Sequence, residues 1–229
     1  MGRSQQRYGL LLLTLIVTLF FEGVASPGSA QRAIGTILVG LTVVLALNAA
    51  EVSARLLRIA VVIVSVLVAI VVVASLIGKG DTVEGLAAIA NLCMVAVAPP
   101  AVVLGVYRNL RATGSVTVTV VAGVLCLYIL EGLFFAFFYV AVQNLGGAPF
   151  FAGGGAATLP RAVYFSFVTL ETVGYGDYTA RTNLGHMLSV SEALIGQIYL
   201  VTVVAAIVSR LVPRRPLTAN RSEAESGSR

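Results

Sequence analysis

Six stretches of the chain are apolar for long enough to cross a membrane. They run over residues 8–25, 33–50, 57–77, 84–106, 116–142 and 184–211. Each is close to the roughly 20 mostly apolar residues that a spanning helix needs. Polar, turn-forming segments separate some of them: SPGSAQR at 26–32 and GKGD at 78–81. Leu, Val and Ile dominate the apolar runs. In lipid the β-branched residues do not argue against helix, because a spanning backbone must satisfy its own hydrogen bonds. The fourth run contains Pro99-Pro100. Proline removes a donor and crowds the preceding turn, so a break or kink is expected there.

A seventh element follows a different rule. Residues 143–159 hold five glycines and Pro149 and read as loop. Pro160 then opens a helical stretch over 160–171, and proline suits a first helical turn. Twelve residues at 1.5 Å each give about 18 Å, too short to span. The stretch is expected to enter the membrane and turn back, with the non-helical backbone after it either lining a watery cavity or buried in protein.

Composition agrees with lipid as the solvent. The chain is 58% hydrophobic and 11% charged, against about 25% charged in soluble domains, and its mean hydropathy is +0.97. The net charge of +5 resides at segment ends. No basic stripe interleaved with aromatics appears, so no nucleic-acid partner is expected. With the N-terminus inside, Arg3, Arg7, Arg55, Arg58, Arg108, Arg111, Arg210, Arg214, Arg215, Arg221 and Arg229 fall on the inner side. Arg32, Lys79, Arg161 and Arg181 fall on the outer side. That bias of 11 to 4 predicts both termini in the cytoplasm. Residues 1–30 read either as a retained first helix or as a cleaved signal peptide. Arg108 and Arg111 read either as the start of a voltage sensor or as ordinary cytoplasmic-end arginines. A sensor needs several charges in the membrane, since each is worth only about 2.3 kcal/mol per 100 mV. Cys93, Cys126 and the lone His186 match no metal spacing.

The chemistry lies in TVGYGD, Thr172 to Asp177. To replace water around a bare cation, several carbonyl oxygens must point at one axis. In a strand they alternate. Turning them the same way needs alternating backbone handedness, which Gly174 and Gly176 supply at little steric cost. Val173 and Tyr175 then pack behind. Thr172 adds a hydroxyl, and Asp177 stands at the outer mouth. One such loop cannot surround an axis, so about four copies are needed, a homotetramer.

This stretch, set after a short helix and between two spanning runs, closely resembles the signature of the potassium-channel pore-domain family. The resemblance covers 114–212. It implies an all-α membrane protein with six transmembrane helices, a re-entrant pore helix, a selectivity-filter loop and a tetrameric pore. It further implies potassium sites at the carbonyls of Thr172, Val173, Gly174 and Tyr175, with Gly176 completing the filter. Gly196 stands at the family's hinge offset; close packing of a small residue against the pore helix is the alternative. In the family's register Gln197, Leu200, Val204 and Val208 face the cavity and inner gate. Where relatives often carry two pore-helix tryptophans, this chain has Tyr164 and Phe165. Phe165 cannot donate to the filter tyrosine, so packing is expected to brace it. Val168 stands where some bacterial relatives pair a glutamate with the filter aspartate, so that brace is expected to be absent.

Four carboxylates lie within apolar segments, where such groups are functional candidates by default. Glu22 is expected at the interface. Glu131 suggests a structural hydrogen bond or an ion role. Glu192, one turn before Gly196, suggests a brace between inner helix and pore helix. Glu171 lies at the negative end of the short helix. It suggests either a cavity-wall acid, hydrogen-bonded to Gln197, or a buried neutral one.

The expected organisation is a four-helix region over 1–112 without sensor charges, a pore domain over 113–212 and a short disordered tail over 213–229. The expected function is passive, potassium-selective conduction across the cell membrane with weak or no voltage dependence. No catalysis and no cofactor beyond the permeant K+ are expected, and lipid is the surrounding partner. A poorly selective cation channel and a non-conducting pore-fold subunit remain as alternatives. Any regulatory chain would be separate, because the tail is too short for a ligand-binding domain.

Overall fold

A computed structural model describes the chain at residues 3–78, 81–154 and 156–211, with side chains there except at 3, 81, 204 and 207–211. The expected tail at 213–229 and its arginines lie outside the described residues. The elements are α1 (Arg3–Val24), α2 (Ser29–Ala49), α3 (Ala54–Ile77), α4 (Asp81–Thr113), α5 (Val118–Gly146), α6 (Leu159–Leu170) and α7 (Asn183–Leu211). Six of them, all but α6, are long and apolar enough to cross a membrane. The apolar runs located all six, and Leu159–Leu170 falls one residue from the short helix expected at 160–171.

Of the break or kink expected at Pro99-Pro100, the break does not occur. Helix α4 is continuous through both prolines. Pro100 is exposed, whereas Ala98, Ala101 and Val102 beside it are buried. The opposite face is held by packing, mainly on α5, and that contact outweighs the lost backbone bonds.

The buried core runs along α1, α4 and α5. Tyr8, Leu11 and Leu15 of α1 meet Val102 and Val106 of α4 and Cys126, Leu130 and Leu133 of α5. Small residues let the backbones close, as is usual where lipid offers no hydrophobic drive. A Cβ added at Gly123 would collide with Val106 and come within 3.2 Å of the Tyr8 ring. Helix α2 fills the space between α1, α3 and α4, and α1 also reaches α5 and α6. The four-helix region therefore seats directly on the segment that carries the motif.

The arginines near one end of the bundle have local duties. Arg7 donates to the Asn48 carbonyl at 3.3 Å and approaches Glu51 at 3.4 Å. Arg108 donates to the Ala50 carbonyl at 3.4 Å. Together they meet carbonyls that the end of α2 leaves without intrahelical partners. The Arg111 guanidinium lies 4.7 Å from the Tyr107 ring centroid. Arg108 and Arg111 thus stand in the last turns of α4 as helix-end arginines.

Candidate ion-conduction site

The short helix α6 starts after Thr158 with Pro160 in its first turn and ends at Glu171, whose N–H reaches back to Phe167 and Thr169 carbonyls. The chain then folds over the last turn. Val173 and Gly174 N–H groups both aim at the Val168 carbonyl, at 3.0 and 3.3 Å. Beyond that point the backbone alternates. Thr172, Gly174 and Gly176 have φ of 56°, 58° and 78°, every second residue through the motif. Such alternation turns successive peptide planes to one side, which an extended strand cannot do. The two glycines were legible. Positive φ at Thr172 was not, because a β-branched residue there is an outlier that costs about 1–3 kcal/mol. Strain of this kind persists only where the surroundings fix it.

The surroundings are aromatic. Phe165 of α6 packs edge-on to Phe151, Tyr139 and Phe150, with centroids 5.3, 5.3 and 6.1 Å away. Tyr164 stacks on Tyr175 at 6.4 Å and 10° and meets Tyr178 edge-on at 5.8 Å. The loop expected at 143–159 is shorter, since α5 runs on to Gly146 and α6 begins at Leu159, and it carries two buried anchors, Phe150 and Phe151. Its backbone pairs with the segment leaving the motif: Ala152 N–H to Thr179 carbonyl at 2.8 Å and Arg181 N–H to Phe150 carbonyl at 2.9 Å. His186 joins the Ala180 carbonyl at 2.7 Å. Packing does brace the motif tyrosine, through Tyr164 more than Phe165.

Everything from Glu171 to Asp177 is exposed on the single chain, Tyr175 to 70%. Among the described residues, helix α7 packs on the helices α5 and α6, along a stripe that includes Glu192, Gly196, Tyr199 and Val203. Gln197 and Leu200 lie off that stripe and are exposed. The side chains of Val204 and Val208 lie outside the described residues. A Cβ at Gly196 would fall 2.9 Å from the Leu170 carbonyl oxygen. This close approach of α7 to the end of α6 is reason enough for a glycine there.

The carboxylates divide. Glu192 is completely buried. It accepts from the Tyr139 hydroxyl with one oxygen and bonds the Ser166 hydroxyl with the other. Ser166 also lies 2.7 Å from the Gly132 carbonyl, so one glutamate links α7 to both α5 and α6. Neither Ser166 nor Tyr139 was singled out in the sequence; a serine amid the apolar residues of α6 was the available signal. Glu131 carries a buried Oε1 without a hydrogen-bond partner, so the expected structural bond to that oxygen is not made. Glu171 is exposed and lines an open groove of about 430 Å³ with Phe20 of α1 and with Val173 and Tyr175. No hydrogen bond joins it to Gln197, and within one chain it is not a buried acid. Glu22, in the last turns of α1, is 1% exposed and packs close to α2 at Gly35, so it is covered by protein and does not reach out to solvent. No group of three or more His, Cys, Asp or Glu that could hold a metal occurs among the described residues.

Residues 123–212 match a family described as ion channel. A relative named "Putative potassium channel protein" from Rhodopseudomonas palustris is 35% identical over 68 residues, 28% of this chain. The match spans only 16% of that relative's length. No solved structure matches. The matched segment holds most of α5, then α6, the TVGYGD turn and α7, and it is this part of the chain that is similar to ion channels.

Proposed function

We propose that the chain is a potassium-selective channel that conducts passively through a homotetrameric pore. The observation that carries this reading is the alternation of positive φ at Thr172, Gly174 and Gly176 in a segment left exposed by its own chain. Four such segments around an axis offer rings of carbonyls from Thr172, Val173, Gly174 and Tyr175, plus the Thr172 hydroxyl, in place of water. Gly176 lets the strand end, and Asp177 draws cations to the mouth. The name of the relative from Rhodopseudomonas palustris and the ion channel match favour the same reading.

In this tetramer the exposed face of α7 turns to the axis. Gln197 and Leu200, with Val204 and Val208 below them, line the cavity and gate. Gly196 and Glu192 hold the inner helix to the pore helix, while Glu171 stands near the inner end of the filter. Helix α4 has no basic residue before Arg108, so conduction varies weakly or not at all with voltage. The chain sits in the cell membrane with both termini in the cytoplasm, as the arginine distribution favours.

The test is flux. The full chain is reconstituted in liposomes and ⁸⁶Rb⁺ uptake followed with K⁺ or Na⁺ as competitor. Uptake that K⁺ suppresses and Na⁺ does not is expected. Equal suppression by both ions marks a poorly selective cation channel, and no uptake marks a non-conducting subunit; either outcome overturns the proposal.

A further inference from the structure

A second polar site lies away from the motif, at the end of the bundle where the pore loop joins α5 and α7. A small cavity of about 30 Å³ is lined there by the end of α1 (Glu22), the start of α2 (Gln31, Arg32), α4 (Glu84, Asn91) and apolar residues of α5 and α6. Three of its lining residues carry a buried polar atom with no protein partner: Glu22 Oε1, Arg32 Nε and Asn91 Oδ1. Buried polar atoms are nearly always paired, so three orphans around one cavity point to an occupant. The volume holds about one water, and a water there needs two to four polar partners. One water can donate to Glu22 Oε1 and Asn91 Oδ1 and accept from Arg32 Nε–H, which matches all three orphans. A bare cation fits less well, because the Arg32 donor would face it.

The charge of Glu22 decides what else the site does. Its only hydrogen bond is from Gln31 Nε2 to Oε2, at 3.5 Å. No ion pair reaches it; among the described residues the ion pair is Arg7–Glu51, at the opposite end of α1. An ionised carboxylate, 1% exposed and without a counter-ion in contact, is costly to bury. The carboxylate lies in the space that a side chain at Gly35 of α2 would fill. The charged groups that line the cavity are Arg32 from α2 and Glu84 from α4. Phe137 and Val140 of α5 and Leu159 of α6 contribute none.

We propose that this pocket is a proton-binding site with one bound water, in which neutral Glu22 closes the joint between α1, α2 and α4 and the pore-forming helices. Loss of the proton leaves a buried carboxylate and loosens the joint. The sign follows from linkage. If the folded chain holds a proton that the unfolded chain has released, stability is greatest at low pH and falls as pH rises.

Unfolding of the full chain in lipid nanodiscs, followed by circular dichroism between about pH 6 and 9, where buried glutamates can titrate, tests this without reference to conduction. The wild type is expected to lose Tm as pH rises. Glu22→Gln, which stays neutral and keeps an acceptor, is expected to remove at least half of that loss. A Glu22→Gln protein with the full wild-type pH dependence overturns the proposal. A measurement on the unmodified chain covers the case in which the variant fails to fold. Dicyclohexylcarbodiimide, an apolar reagent for protonated carboxyls, should label Glu22 at low pH and progressively less as pH rises, read by mass spectrometry. Labelling that ignores pH, or no labelling of Glu22 at any pH, counts against it.

Discussion

Helices α3 and α7 are the two least buried of the long helices, yet they are exposed for different reasons. Helix α3 shows lipid a surface of Leu, Ile and Val, among them Leu56, Ile63, Val66 and Ile70. Hydrocarbon satisfies such a surface, and no protein partner is required. Helix α7 exposes Gln197 and Thr202 among its apolar residues, and beside it the whole motif from Glu171 to Asp177 is uncovered. Backbone without helical hydrogen bonds is tolerated at membrane depth only when it lines water or is buried in protein. Exposure of α3 is therefore complete in one chain, whereas the proposed tetramer would cover the exposed side of α7 and the motif. The glutamates follow the same division. Glu192 faces the one packed stripe of α7 and is fully bonded, while Glu171 faces the uncovered side.

The largest effect should come from the uncovered side. Gly174→Ala places a Cβ at a φ of 58°, which costs about 1–2 kcal/mol per chain and is paid four times in a tetramer. Nothing lies within 4 Å of the added atom in one chain, so the folding of the monomer should hardly notice it. We expect ⁸⁶Rb⁺ flux to be abolished while the helical circular dichroism stays at the wild-type level. Intact flux would remove the alternating backbone from the account of conduction.

On the packed stripe, Glu192→Leu leaves the Tyr139 hydroxyl without its acceptor, while Ser166 keeps the Gly132 carbonyl. An orphaned buried hydroxyl costs about 1–3 kcal/mol. The expected result is a clear fall in the Tm of the purified protein, mostly restored in Glu192→Gln, which keeps an acceptor and a donor in place. Equal Tm values for Leu and wild type would mean that α7 is not fixed to α5 and α6 through this residue.

The apolar pattern was enough to locate the six long helices, because a spanning helix needs only length and hydrophobicity, whereas α6 was read from the glycine-rich loop and Pro160. The pattern did not show that the helix continues through Pro99-Pro100, since composition does not reveal that the neighbouring Ala98, Ala101 and Val102 are buried. The glycines of the motif were readable because their conformational need is local. Thr172 was not, as its φ is imposed by the turn back onto Val168. Glu22 and Glu192 were visible as anomalies, but their partners lie 9 to 53 residues away in sequence. Spacing along one helix carries no trace of Gln31 on α2 or Tyr139 on α5. Contacts between elements, more than the elements themselves, were what the chain alone left open.

The smallest effect should come from α3, and it tests whether the contrast with α7 is sound. Val66 is 52% exposed on the lipid-facing surface. If lipid is its only neighbour, Val66→Ala removes methyl groups that lipid tails replace, and the change in Tm should correspond to no more than about 0.5 kcal/mol, as for surface sites elsewhere. If a second copy of the chain covers α3 in the assembled channel, the same substitution opens a gap in a packed interface. The cost then rises above 1 kcal/mol, in the manner of core truncations, and should appear in the Tm of the oligomer but not of a dissociated chain. That result would place α3 with α7 as a second helix whose partner lies outside its own chain. It would also extend the interface between copies from the central pore to the rim of the four-helix region.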